Sequence, residues 1–277
     1  MKNLSGSVAA ITGAGSGIGR ATALLFAKNG VDVALSDIDK YSLDDTLILA
    51  SNYGVHATKK VVDVSNKDEV YAWSDSVVED HGKVNIIINN AGVGLGSRIE
   101  DMSYEDFEWL FNINFWGVVY GTKAFLPHIK YTGEGHIVNI SSVFGLIAVP
   151  TQAAYNCAKF AVKAFTECLR EELEIEGSNV SCTSIHPGGI KTNIARNSRM
   201  RDVGNLIEDQ ESMVERFESI ARTSPEQAAA VILNAVKANR RRALIGTDAV
   251  VIDLAQRLMP TTYQRLLEFG AKRFMHR

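Results

Sequence analysis

The sequence predicts an α/β protein built on a doubly wound parallel sheet, about seven strands with helices on both faces. Three observations lead there. Short β-type runs alternate with helical patterns along the chain, several of the runs are nearly continuous in apolar residues, and a glycine-rich turn joins the first run to the first helical stretch. A parallel sheet covered on both faces needs apolar runs of that kind.

The strand candidates, in order, are "VAAIT" (8–12), "VDVALS" (31–36), "ATKKVV" (57–62), "VNIIIN" (84–89), "HIVNIS" (136–141), "VSCTSI" (180–185) and "RALIG" (242–246). Helices start between them at recognisable signals. Ser65-Asn66-Lys67-Asp68 and Ser103-Tyr104-Glu105-Asp106 have the serine-then-acid spacing of a capping box. Ser224-Pro225-Glu226-Gln227 adds a proline at the first helical position. No repeat or proline-rich linker breaks the alternation, so residues 1–277 read as one domain.

Bulk properties narrow the function. Hydrophobic residues make up 46% and charged residues 22%, as in a globular protein, and a net charge of −3 argues against a nucleic-acid surface. The one compact basic cluster, Asn-Arg-Arg-Arg at 239–242, reads as a solvated helix end before a strand. Three cysteines, 157, 168 and 182, are expected to be buried free thiols in a reducing compartment. No secretory leader is recognised, and no apolar stretch reaches the roughly 18 residues of a membrane span, so a cytoplasmic protein is expected.

The glycine-rich turn, "ITGAGSGIGRA", carries the first chemistry. Glycines 13, 17 and 19 let the backbone turn sharply and approach a ligand, and the helix that follows offers amides and its positive end to a pyrophosphate. The Walker pattern is absent, which disfavours an ATPase. Asp37 ends the second run, where an acid takes the ribose hydroxyls of a dinucleotide. Its charge would repel a 2′-phosphate, and Ile38 follows it in place of an arginine. NAD is favoured over NADP on these grounds, with Lys40 the residue that would weaken the inference.

The other polar breaks share the carboxyl edge of the same sheet, where open α/β sheets bind ligands. Asp63 and Val64 follow the third run, Asn90, Ala91 and Gly92 the fourth, Ser141 and Ser142 the fifth, and His186, Pro187 and Gly188 the sixth. Tyr155 and Lys159 open the next helix, and no other tyrosine has a lysine four residues on. One turn apart, they share a helix face. A phenol of pKa about 10 is a poor base at neutral pH. An ammonium and an oxidised nicotinamide would lower it by about three units, which takes about 4 kcal/mol. Ser142 would then hydrogen-bond the substrate oxygen while Tyr155 moves the proton.

These elements resemble the short-chain dehydrogenase/reductase family, in its single-domain main branch, over roughly residues 5–247. They stand as "TGAGSGIG" (12–19), "NNAG" (89–92), Asn114 in "NINFWG", Ser142 in "NISS", "YNCAK" (155–159) and "HPGGIKT" (186–192). The extended and divergent branches, with other glycine and Tyr–Lys spacings, fit less well. The resemblance implies a Rossmann-type fold and hydride transfer between a nicotinamide and a carbonyl carbon. It makes Tyr155 the acid/base, Lys159 its partner and the holder of the nicotinamide ribose, Ser142 the substrate-positioning hydroxyl, and Asn114 the holder of a relay water. Gly13, Ser16, Gly17, Ile18, Gly19, Asp37, Ile38, Asp63, Val64, Asn90, Ala91, Gly92, Pro187, Gly188, Ile190 and Thr192 become the cofactor contacts, with no metal ligand among them.

In this fold the segment after the sixth run closes the substrate pocket, so 193–223 is the expected lid, with Met200, Met213 and Phe217 as apolar contacts and Gly204 as a hinge. "SVFGLIAVPTQ" (142–152), Val93 and Leu95 would line an apolar pocket, although Arg98 and Arg196 could hold an anion. The expected reaction interconverts a hydrophobic secondary alcohol and its ketone. The alternatives are an NADP-dependent carbonyl reductase and an NAD-binding sensor without turnover. The extension 248–277 is amphipathic and basic; packing on its own domain or a sister subunit is expected ahead of a membrane surface. The family implies a homotetramer or homodimer.

Overall fold

The computed structural model describes residues 1–201, 214–215 and 218–275, with the side chains of the last helix described through Phe269. Gly204, Met213 and Phe217 lie outside the described residues.

All seven strand candidates enter one parallel sheet, with ends shifted by a residue or two. The strands are β1 (Val8–Thr12), β2 (Asp32–Asp37), β3 (Ala57–Val61), β4 (Ile86–Asn89), β6 (Gly135–Ile140), β7 (Val180–Pro187) and β9 (Arg242–Ile245). Their order is β3-β2-β1-β4-β6-β7-β9, so the winding reverses between β1 and β4 and opens the crevice there. The helices are α1 (Gly17–Lys28), α2 (Lys40–Ser51), α3 (Lys67–His81), α4 (Tyr104–Phe111), α5 (Gly117–Tyr131), α6 (Ala153–Ile175), α7 (Pro225–Lys237), α8 (Thr247–Leu258) and α9 (Thr262–Met275). A second sheet, unforeseen, pairs β5 (Leu95–Gly96) with β8 (Arg199–Met200) in parallel.

Alternating strand residues feed two apolar layers, as the two-residue pleat dictates. Ala9, Ile11, Ile86, Ile88 and Val138 join Phe26, Leu43 and Ile232 on one face. Val8, Ala10, Ile87 and Ile137 join Trp73, Phe125, Ile129 and Leu173 on the other. Trp73 meets Phe125 edge to face, ring centroids 5.0 Å apart. One polar knot crosses this second layer. Asn89 and Asn139 stand opposite each other in β4 and β6, joined Nδ2 to Oδ1 at 2.8 Å, and reach Thr122 (3.1 Å) and Thr166 (3.0 Å).

Several expectations need correction. The cap of α3 is Asn66, not Ser65: Asn66 accepts from the Asp68 and Glu69 amides, while Ser65 turns back to Asp63 at 2.7 Å. Ser103 and Ser224 do cap, the latter in a reciprocal box with Gln227. Only Cys182 is buried; Cys157 and Cys168 are exposed, because the inner face of α6 is taken by residues such as Ala158, Val162 and Leu169. In the 239–242 cluster, Arg241 pairs with Glu174 and Arg242 with Asp253. The extension does not bury its apolar face on the domain. Ala249 and Asp253 are the buried residues of α8, while Val250, Val251, Leu254 and Leu258, with Leu266 and Phe269 of α9, are exposed. Asp253 fixes that orientation, because it turns inward to meet Arg242 at 2.8 Å and Arg257 at 3.1 Å.

Candidate active site

The loops after β1 and β4 are stitched across the crevice. Thr12 Oγ1 accepts from the amides of Asn90 (2.9 Å) and Ala91 (3.0 Å). Asn90 Nδ2 in turn donates to the carbonyls of Thr12 (2.9 Å) and Gly13 (3.1 Å). Gly19 packs so closely that a Cβ there would stand 2.0 Å from the Gly13 carbonyl oxygen, and Gly13 itself has φ +63°. Asp37 closes the other side: its Oδ2 accepts from the Gly15 amide at 2.8 Å and its Oδ1 from the Asp39 amide at 3.1 Å.

The residues fit a dinucleotide. Side chains of Asp39, Asn66, Ser103 and Ser224 cap their helices, but Ser16 makes no side-chain cap on α1. The first-turn amides of α1 keep their affinity for an anion, beside backbone bare of Cβ atoms. After β7, the Gly189 amide donates to Asp248 at 2.6 Å, and the Lys191 amide donates to the Thr223 carbonyl at 3.0 Å. This path carries Thr192 over the glycine loop, its Cγ2 3.1 Å from where a Gly17 Cβ would be. Ile190 is buried, and Ile38 is exposed beside Asp37. The Asp63 carboxylate holds the Ser65 amide at 2.9 Å, and Val64 packs against Gly117.

Four residues expected to carry chemistry meet at the ends of β4 and β6. Asn114 lies in a π-helical segment, Asn112–Trp116, where the helical ladder slips to an i→i+5 bond from Gly117 to Asn112. Its buried carboxamide accepts from the Val93 amide and donates to the Val93 carbonyl, both at 2.8 Å. A Cβ on Gly92 would lie 3.2 Å from Asn114 Oδ1 and 3.6 Å from Lys159 Nζ, so these three form one cluster. Lys159 Nζ donates to the Ile140 carbonyl at 3.0 Å and stands 5.5 Å from the centre of the Tyr155 ring. The Ser142 hydroxyl, which accepts from the Phe144 amide at 3.1 Å, lies near enough to the Tyr155 phenol to lower its pKa.

The electrostatics of the free chain depart from the expectation of a lowered phenol pKa. Burial pushes Tyr155 up to about 12, and the Ser142 hydroxyl only partly opposes this. The same burial lowers Lys159 to about 8. Desolvation outweighs the ammonium, which points at a backbone carbonyl and the ring face. The phenol is therefore a proton donor at neutral pH.

Further residues shape the site. His186, fully buried, sets Nδ1 3.0 Å from the Ser142 carbonyl oxygen and Nε2 2.9 Å from Ser184 Oγ. Burial lowers it to about 4, so it is neutral. Asn156 donates to the carbonyls of Phe144 (2.7 Å) and Ile147 (2.8 Å) and accepts from the Val149 amide (3.1 Å), binding the 142–152 wall to α6. The Tyr263 hydroxyl accepts from the Ala148 amide at 3.3 Å, so α9 touches the same wall. Arg98 is paired with Glu100 and Asp101, and Arg196 with Glu218, which answers the anion-holding expectation for both.

The start of the 193–223 segment is clamped. Buried Asp106 takes Arg201 at 2.6 and 3.0 Å and Arg199 at 3.3 Å, and Arg199 lies 3.6 Å from the Trp109 ring. Some 95 residues separate the partners, and no local spacing announces them.

A glycine loop at a switch point, an acid at the end of β2 and a Ser–Tyr–Lys cluster at the ends of β4 and β6 define a nicotinamide-dinucleotide oxidoreductase. The chain belongs to the short-chain dehydrogenase family, whose profile matches residues 7–202. It is 46% identical over 275 residues to SadH of Mycobacterium tuberculosis, named as an oxidoreductase, covering 99% of this chain and 98% of that one. It is 29% identical over 268 residues to estradiol 17-beta-dehydrogenase 11 of Macaca fascicularis, covering 96% and 84%. The crystal structure of a short-chain dehydrogenase from Burkholderia phymatum in complex with NAD superposes with a TM-score of 0.84, at 32% identity over 93% of this chain and 95% of that one.

Proposed function

We propose that the protein uses NAD(H) to interconvert a hydrophobic secondary alcohol and its ketone, with Tyr155 as acid/base. The meeting of Tyr155 and Ser142 with the buried Lys159, whose Nζ stands 5.5 Å from the Tyr155 ring centre, carries the reading. Gly13 to Gly19 would hold the pyrophosphate, Asp37 the adenosine ribose, Asp63 and Val64 the adenine, and Asn90 to Gly92 with Lys159 the nicotinamide ribose. Pro187, Gly188, Ile190 and Thr192 would hold the carboxamide. The cofactor, when bound, exchanges a hydride with the substrate carbon and, when oxidised, adds a positive charge near the phenol.

The chain's own residues manage the proton. In ketone reduction Tyr155, protonated at neutral pH, donates to the developing alkoxide while Ser142 donates a second hydrogen bond to the same oxygen. In alcohol oxidation the phenol must first lose its proton; Lys159 favours that loss, and its contact with the Gly92–Asn114 cluster offers the exit. His186 and Asn156 hold Ser142 and its loop in position. The pocket wall 142–152 is rich in apolar residues and both nearby arginines are paired, which supports an uncharged substrate. The steroid alcohol in one relative's name points the same way.

The test follows NADH formation from NAD⁺ and secondary alcohols graded from short aliphatic to steroid-sized, with Tyr155→Phe run beside the wild type. Turnover by the wild type alone, rising with apolar size, is expected, with a loss of at least about a hundredfold in the variant. Undiminished turnover in Tyr155→Phe would remove the tyrosine from the mechanism.

A further inference from the structure

The C-terminal helices present their apolar residues the wrong way round for a helix that serves its own domain. Val250, Val251, Leu254 and Leu258 follow helical spacing along one side of α8, and their exposures run from 52% to 72%. Leu266 and Phe269 of α9 are 60% and 66% exposed. The inner side of α8 is anchored instead by Ala249 and by the Asp253 ion pairs. Six large apolar side chains exposed on two consecutive helices are a surface that a monomer in water rarely keeps.

Charge identifies what covers it. Over residues 247–277 the chain carries Arg257, Arg265, Lys272, Arg273 and Arg277 against Asp248, Asp253 and Glu268, on a protein whose formal net charge is −3. Asp253 takes Arg257 at 3.1 Å and Asp248 takes the Gly189 amide, which leaves Glu268 as the exposed acid. Arg257 and Arg265 are exposed beside the stripe. A symmetric contact between two copies would bring the same net positive segment to both sides of the seam. An anionic lipid surface meets both demands at once, taking apolar side chains into the acyl boundary and cations among the headgroups. No helix among the described residues is long and apolar enough to cross a membrane, so the contact lies in the interface plane.

We propose that α8 and α9 dock this protein on anionic membranes through the stripe Val250, Val251, Leu254, Leu258, Leu266 and Phe269. The face adjoins the site. Tyr263, between the two halves of the stripe, is bonded to Ala148 of the pocket wall, and Ala148 and Pro150 are themselves exposed. The docking does not depend on the substrate proposed above.

The experiment is flotation of the full chain with vesicles of phosphatidylcholine alone and of phosphatidylcholine mixed with phosphatidylglycerol. Partition onto the mixed vesicles at least about tenfold above that onto the neutral ones is expected, falling as salt is raised. The double variant Leu254→Glu, Leu258→Glu changes two exposed residues outside the catalytic cluster. It is expected to lose flotation and to keep its melting temperature and its NAD⁺ affinity. No flotation of the wild type, equal partition onto both vesicles, or undiminished flotation of the variant would overturn the proposal. A fall in oligomeric size in the variant, with no lipid binding by the wild type, would assign the face to a second copy and overturn it equally.

Discussion

Replacing Asp106 by asparagine isolates the clamp on the segment that begins after β7. The substitution keeps the size of the side chain and the Ser103 cap on the residue 106 amide, but removes the charge that Arg201 and Arg199 share. The Arg201 hydrogen bonds, first among several causes, hold the Asp106 carboxyl at about 2 against an ordinary 3.8. Taken in full, that difference is worth roughly 2 kcal/mol by linkage. Both arginines stand about half in solvent, so screening reduces the figure to about 1–2 kcal/mol. The depressed value means that this stabilisation is present above pH 3.8 and is lost as pH falls through 2. At neutral pH, Asp106→Asn should raise local opening of the β5–β8 pair roughly tenfold. Hydrogen exchange reads this directly, because the Arg199 and Arg201 amides bond to the carbonyls of Gly94 and Gly96 at 3.1 and 3.0 Å. Those two amides should exchange faster while β4 amides do not, and the alcohol's apparent KM should rise with NAD⁺ affinity unchanged. Unaltered exchange at 199 and 201 would refute the clamp.

Three further outcomes follow from the geometry. Asp37→Ala removes the carboxylate beside the glycine loop and should shift the kcat/KM preference from NAD⁺ toward NADP⁺ by at least about tenfold; an unchanged ratio would show that Asp37 does not set cofactor choice. Gly19→Ala forces a Cβ onto the Gly13 carbonyl and should weaken NAD⁺ binding, measured by fluorescence titration, more than it lowers the melting temperature. His136 and His186 are held neutral by burial, at about 3 and about 4, whereas the unfolded chain protonates both near 6.5. Stability should therefore fall as pH drops below 6.5, down to about 4 for His186 and about 3 for His136. The conservative His136→Gln should flatten that slope in thermal melts; an equally steep slope would clear His136 of the effect.

Much of this architecture was legible in the sequence because a buried parallel sheet writes itself as short apolar runs. Asp37 could be placed at the end of β2 and Ser142 at the end of β6 by counting from those runs, and Tyr155 and Lys159 needed only the turn of a helix. What could not be read depends on contacts across long separations or on burial. The β5–β8 pair is too short to leave a periodic signal. The Asp106 clamp joins residues that no local pattern relates. The upward displacement of the Tyr155 phenol comes from desolvation, which a list of neighbouring charges does not contain. The outward face of α8 followed the same rule: its stripe was visible, but which side Asp253 would anchor was not.

The Asn89–Asn139 pair has a consequence for the accuracy of the site. It lies directly beneath it, one residue before the Asn90–Gly92 loop and two before Ser141. In a parallel ladder of aliphatic side chains, a slip between β4 and β6 would exchange one isoleucine for another and cost little. The amide pair works as a keyway: any slip strands two carboxamides in an apolar layer, at about 1–3 kcal/mol for each group left unsatisfied. Alignment of the two loops above is thus built into the sheet. A substitution such as Asn139→Leu would then blunt catalysis from a position that touches no reacting atom.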